Sequence, residues 1–216
     1  AFEASVEGAY YAKQMQFLRN KERIGEVPWD PRFVVNTFWD LGMNDKMTVW
    51  FHQRVAGVNR LIDYYENQDQ GFDHYAAVLA EKGYNYGAHY MPHDVNVRDL
   101  SAEGGKSRKQ IAEQLGIKPI RKVKKPRNQE EIMERIEITR GFLMTCQIDE
   151  TTCKKGIEAL DAYRKEWDTK LGGYKKTALH NWASHAADAL RTGATGYREM
   201  VMNTQSELEP EVVEAS

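Results

Sequence analysis

The hydrophobic and polar positions change period along the chain, and each change marks an element. Residues 33–40 are almost all β-branched or aromatic, ending in Asp40, with Gly42 two positions on for a turn; this composition predicts a strand that delivers a carboxylate to a sheet rim. Residues 47–52 and 58–65 repeat it across short connections at Asn44-Asp45 and Gly57, predicting an antiparallel meander. From residue 73 the period lengthens, with Tyr75, Val78 and Leu79 on one face of a helix that Gly83 stops after Lys82. Residues 87–94 return to strand composition and again finish in an acid, Asp94. The intervening helix allows this strand to lie parallel to the first, bringing Asp40 and Asp94 to one end of strands about 4.8 Å apart. Carboxylates that close repel unless a cation lies between them.

The pattern continues less sharply on either side. Residues 1–31 read as a helix followed by a linker broken at Pro28 and Pro31. Ile111 and Leu115 indicate a short helix and Pro119-Ile120 a short strand. Asn128 with Glu131 three positions later resembles a capping box for a helix carrying Ile132, Met133, Ile136 and Ile138, which Gly141 would end before a strand over 142–145. A helix over 153–163 is followed by a hairpin around Gly172-Gly173, then by an alanine-rich helix over 180–191 with Trp182, Ala186, Ala189 and Leu190 as its apolar face and His185 and Asp188 on another. Residues 201–216 are acidic and poor in core residues, as a disordered tail would be.

Composition narrows the class. With 216 residues, 41% of them hydrophobic, the chain can bury a sizeable core, and no apolar run approaches the roughly 20 residues of a membrane span. The two cysteines, Cys146 and Cys153, form no CxxC pair, which favours a reducing compartment over a disulfide framework or zinc ribbon. The histidines His180 and His185 are five apart, not the four of a helical zinc pair. Gly105-Lys106-Ser107 falls short of a phosphate-binding loop because Leu100 stands where its first glycine belongs. The start at Ala1 hints at a piece of a longer chain.

Two strand-end acids and a third on a late helix, Asp40, Asp94 and Asp188, make a constellation of hard oxygen donors suited to Mg2+ or Mn2+. Two such ions about 3.5–4 Å apart can activate water and stabilise the leaving oxygen in phosphodiester hydrolysis. The residues Trp39-Asp40-Leu41-Gly42, Thr48-Val49-Trp50, Pro92-His93-Asp94, Ser107-Arg108 and Ser184-His185-Ala186-Ala187-Asp188-Ala189-Leu190-Arg191 together resemble the nuclease domain of the large terminase subunit of tailed bacteriophages. The resemblance implies an α/β, ribonuclease H-like fold: a mixed five-stranded sheet, antiparallel meander plus parallel strands, flanked by helices. It implies a nuclease domain over 32–200, with residues 1–31 matching the segment that follows a packaging ATPase on the full-length chain. It implies a metal-dependent endonuclease that cuts double-stranded concatemeric viral DNA during genome packaging in the host bacterial cytoplasm, with the small terminase subunit and the portal as partners. Asp40, Asp94 and Asp188 carry over as metal ligands; from its expected place at the centre of the sheet, Asp40 should be the one to bridge two Mg2+ or Mn2+ ions.

His185 and His93 stand beside two of these acids as candidate supporting groups. Arg108, Lys109, Lys170, Lys175 and Lys176 are candidate contacts to DNA phosphates, which position without reading sequence. A Holliday-junction resolvase or transposase-like nuclease would share the core, and a non-catalytic DNA-binding or assembly module would keep the acids for structure alone.

Overall fold

The structure is a computed structural model that describes residues 8–42, 46–98, 105–170 and 172–208. The turn expected at Asn44 and Asp45 lies outside the described residues. Helix α1 (Ala12–Asn20) and the two-residue strand β1 (Ile24–Gly25) precede the meander β2 (Val35–Asp40), β3 (Lys46–Val55) and β4 (Val58–Gln68). Helix α2 (Phe72–Lys82) leads to β5 (Tyr86–Met91), a single 3-10 turn (His93–Asn96), α3 (Arg108–Gln114) and β6 (Ile120–Lys122). Then come α4 (Gln129–Leu143), β7 (Cys146–Asp149), α5 (Lys154–Ala162), the hairpin β8 (Lys165–Asp168) and β9 (Gly173–Ala178), and α6 (Ser184–Leu208).

Seven strands form one sheet in the order β1-β7-β4-β3-β2-β5-β6. Five of the expected strands make the run β4-β3-β2-β5-β6, antiparallel within the meander and parallel from β2 to β5 and β6. Strand β7 adds to β4 in parallel, and β1, which falls in the expected linker, adds to β7. Alternation along β2 divides the core. Phe38 faces a cluster that includes Trp50 and Leu61 with α1, α4, α5 and α6, whereas Val35 and Trp39 face α2 and α3 with Val49, Phe51 and Met91. Asp40, two residues beyond Phe38, therefore emerges on the α6 side.

Several boundaries differ from the sequence expectation. Gly141 lies inside α4, which continues to Leu143, so the strand expected at 142–145 begins instead at Cys146. The cap expected at Asn128 is present, its side chain accepting from the Glu131 backbone N–H at 2.9 Å. Trp182 precedes α6 and is 51% exposed; Ala183, just before the helix, and Ala186, Ala187, Ala189 and Leu190 within it are buried instead. Helix α6 runs to Leu208, into the acidic stretch expected to be the tail. Both cysteines are buried and free.

Candidate metal centre

Asp40 is the last residue of β2, and cross-strand pairing sets Thr48 directly beside it on β3. Thr48 donates its hydroxyl to the His185 carbonyl at 3.0 Å, and two residues along the same face the Trp50 indole N–H donates to the Ala186 carbonyl at 2.9 Å. These two bonds tie the first turn of α6 to the central strands. Close approach is permitted by small residues: a Cβ built at Gly193 would lie 1.8 Å from the Phe38 ring. Asp188, one turn into α6, is thereby carried over the end of β2.

Asp94 arrives differently from expectation. Strand β5 stops at Met91, Pro92 keeps the chain extended, and Asp94 lies in the 3-10 turn, where its carbonyl accepts from the Val97 N–H at 2.9 Å. The acid is thus aimed by a tight turn three residues past the strand rather than by the strand's pleat.

Asp40, Asp94 and Asp188 line one cavity of about 240 Å³, with His93 at its exposed edge. His185 Nδ1 is 3.0 Å from Asp40 Oδ2. The Arg191 guanidinium, one turn along α6, lies 2.9 Å from Asp188 Oδ1 but out of line for a hydrogen bond. Arg191 also donates to the Tyr163 hydroxyl at 3.3 Å. Burial pushes the Asp40 carboxyl above the usual carboxylate range; the His185 bond opposes that shift, and the charges of Asp188 and Asp94 add to it. Asp94 Oδ1 is buried without a partner among the described residues, whereas Asp188 Oδ1, also buried, has the Arg191 charge beside it. Buried carboxylate oxygens left without partners are costly, and a hard cation is the species that would satisfy them. The donor set therefore fits Mg2+ or Mn2+, although among the described residues no group of three His, Cys, Asp or Glu side chains is closed into a ligand cluster.

The other buried histidines do not belong to this site. His52 bonds the Asn59 side chain at 2.9 Å and His89 bonds Thr37 at 2.6 Å; burial brings each ring down to about 4, so both stay neutral core residues.

The basic residues divide. Lys109 pairs with Glu113 at 3.6 Å on α3, and Lys175 pairs with Glu166 at 2.7 Å across the hairpin. Arg108 lines a separate cavity beside Gly42 and Asp73, while Lys170 and Lys176 are exposed on the β8–β9 arm. The carboxylate cavity instead receives Lys124, Lys125, Arg135 and Arg191. The basic run through 118–127 is visible in the sequence, but which lysines face the acids depends on where the chain leaves β6. Arg191 carries a signal in its spacing, three residues after Asp188 on a helix.

The strand order, with the acids at one end of a mixed sheet flanked by helices, is that of a ribonuclease H-like fold. No family model matches the chain, and no curated protein is significantly similar to it in sequence. Among solved structures the fold is that of large terminase nucleases from several bacteriophages. The large terminase of a thermophilic bacteriophage superposes on 87% of the chain with a TM-score of 0.61 and 17% identity, and the chain spans 45% of that protein's length. The large terminase nuclease from thermophilic phage G20c with bound magnesium gives a TM-score of 0.58 at 10% identity, covering 87% of this chain and 97% of that one. The large terminase nuclease domain from bacteriophage SPP1 with bound Mn gives 0.54 at 14% identity, covering 77% and 86%.

Proposed function

We propose that the chain is the nuclease part of a phage large terminase, a divalent-metal-dependent endonuclease that cuts double-stranded concatemeric DNA during genome packaging. The observation that carries this reading is the single cavity shared by Asp40, Asp94 and Asp188, with Asp94 Oδ1 buried and unpartnered, in a fold whose solved neighbours hold magnesium and manganese. Asp40, Asp94 and Asp188 would hold two Mg2+ or Mn2+ ions. When bound, these ions supply a water activated near neutral pH and positive charge for the developing phosphorane and leaving oxygen.

The chain's own groups have separate tasks in this mechanism. His185 orients the Asp40 carboxylate through the 3.0 Å contact, and the Thr48 and Trp50 bonds fix the turn of α6 that carries His185. Arg191, braced by Tyr163, limits the rotation of Asp188. Residues 1–31 would continue from a packaging ATPase on the full-length chain, with the small terminase subunit and portal as partners in the host bacterial cytoplasm. No helix among the described residues is long and apolar enough to cross a membrane.

Titrating Mn2+ into metal-free protein by calorimetry, alone and with a DNA duplex, should give saturable binding. Supercoiled plasmid should be nicked in Mn2+ and left intact in EDTA. Neither Mn2+ binding nor nicking would defeat the proposal. Within it, His185→Ala is expected to weaken Mn2+ binding by about 10- to 100-fold, the usual consequence of losing a group that orients a ligand. An unchanged Mn2+ isotherm for a folded His185→Ala protein would remove His185 from the mechanism.

A further inference from the structure

Before metal is bound, three acids in one cavity repel the phosphate backbone that must reach them, and cations at the cavity mouth offset that repulsion. One segment of the chain is placed there. Strand β6 is the outermost strand beside β5, and the Val123 N–H continues the pairing to the Met91 carbonyl at 2.8 Å, at the point where β5 ends. The chain then turns across the carboxylate cavity, with Lys124, Lys125 and Pro126 lining it.

This turn is fixed from beneath. Arg135 on α4, 8% exposed, donates to the Lys124 carbonyl at 2.7 Å and to Glu131 Oε1 at 3.1 Å. The other oxygen of Glu131 accepts from the Arg127 backbone N–H at 2.7 Å and from its side chain at 3.1 Å. Both ends of the turn are thus held to one helix, whereas the side chains of Lys124 and Lys125 remain exposed. Neither has an ion-pair partner among the described residues, unlike Lys109 and Lys175. The sequence from Lys118 to Arg127 contains six basic residues and no acid.

We propose that this turn is the seat of the DNA backbone, with Lys124 and Lys125 contacting phosphates and steering one of them into the cavity of Asp40, Asp94 and Asp188. The assignment rests on the nuclease reading above and deepens it, moving the main phosphate contacts from the β8–β9 arm and α3 to the β6–α4 turn. The rigid backbone under the two lysines means that they meet the DNA at a set distance from the acids. A contact free to move could supply affinity but not that placement.

The test is DNA binding measured without cleavage, with a labelled duplex in EDTA over a range of salt. Lys124→Ala/Lys125→Ala should lower affinity about tenfold or more at low salt and reduce the slope of log K against log salt by about 1.8, two phosphate contacts at about 0.9 each. Its Mn2+ isotherm should match that of the parent, and nicking should fall at limiting DNA. A control that removes the same charge from the arm, Lys170→Ala/Lys176→Ala, should change the slope less. An unchanged slope in the first variant, a larger change in the control, or loss of Mn2+ binding together with DNA binding would each overturn the assignment. Failure of the nuclease reading would register separately, as absent Mn2+ binding and nicking in the parent protein.

Discussion

Asp40→Asn is expected to give a protein that folds at least as well as the parent in the absence of metal and cuts DNA about a thousandfold more slowly or worse. The amide keeps the shape of the side chain and can still accept from His185, so the 3.0 Å contact to α6 survives. What disappears is a negative charge recessed at the rim and set beside Asp94 and Asp188. The parent's Asp40 holds its proton more tightly folded than unfolded, because burial and the neighbouring acids raise its pKa. Its contribution to stability is therefore fully present below the ordinary carboxylate value of about 4 and is lost as pH rises through the raised one. The asparagine variant lacks that loss, so melting curves in EDTA at increasing pH should show the parent falling relative to it. Added Mn2+ should reverse the order, raising the parent's midpoint through binding to the native state and leaving the variant's nearly unmoved. The loss in rate follows from the several kcal/mol of transition-state charge stabilisation that metal ions supply; about 4 kcal/mol corresponds to about 10³. Nicking at the parental rate by Asp40→Asn would end the metal-ion mechanism.

The parts of this molecule legible in its sequence are those where one local rule acts unopposed. Strand β2 can be read because β-branched and aromatic residues dominate the stretch over 33–39 and it is buried on both faces, and the meander follows from short connections. The acid at its tip is located for the same reason. Asp94 reads as a strand end because nothing in Met91-Pro92-His93-Asp94 announces a 3-10 turn; proline breaks the pairing, and the turn then aims the side chain. Gly141 looks like a helix stop, but a glycine ends a helix only where the backbone needs a left-handed residue, and packing of Leu143 keeps α4 going. The hydrophobicity of Trp182 points to the core, yet the turn at Asn181, whose side chain accepts from the Ala183 N–H at 3.0 Å, leaves it outside the helix. Lys124 and Lys125 are hidden for a different reason: their place at the cavity is set by the tertiary placement of the β6–α4 turn, which no spacing within the sequence encodes.

Two glycine-to-alanine substitutions should move stability in opposite directions, and the contrast tests how α6 is seated. Both positions lie within helices, where alanine is preferred over glycine by about 1 kcal/mol. At Gly141 a Cβ meets nothing within 4 Å, so Gly141→Ala should realise most of that preference. At Gly193 the Cβ would lie 1.8 to 2.3 Å from three carbons of the Phe38 ring. Phe38 cannot yield: it is fully buried and packed against His52, Tyr90 and Phe142 at centroid distances of 5.0, 5.7 and 5.9 Å. The helix must lift instead, and overpacking of this kind costs about 1–3 kcal/mol or more, which outweighs the propensity gain. For a domain of this size each kcal/mol is worth about 2–4 °C, so the two variants should bracket the parent's melting temperature. The displacement has a functional consequence, because Phe38 precedes Asp40 by two residues on β2 and Gly193 follows Asp188 by five on α6. Raising the helix at Gly193 separates those two acids and strains the Thr48 and Trp50 bonds that hold its first turn. Gly193→Ala should therefore weaken Mn2+ binding as well as lower the midpoint, whereas Gly141→Ala should leave Mn2+ binding untouched. Equal melting temperatures and equal Mn2+ isotherms for the two variants would show that the close seating of α6 on β2 does not set the distance between the acids.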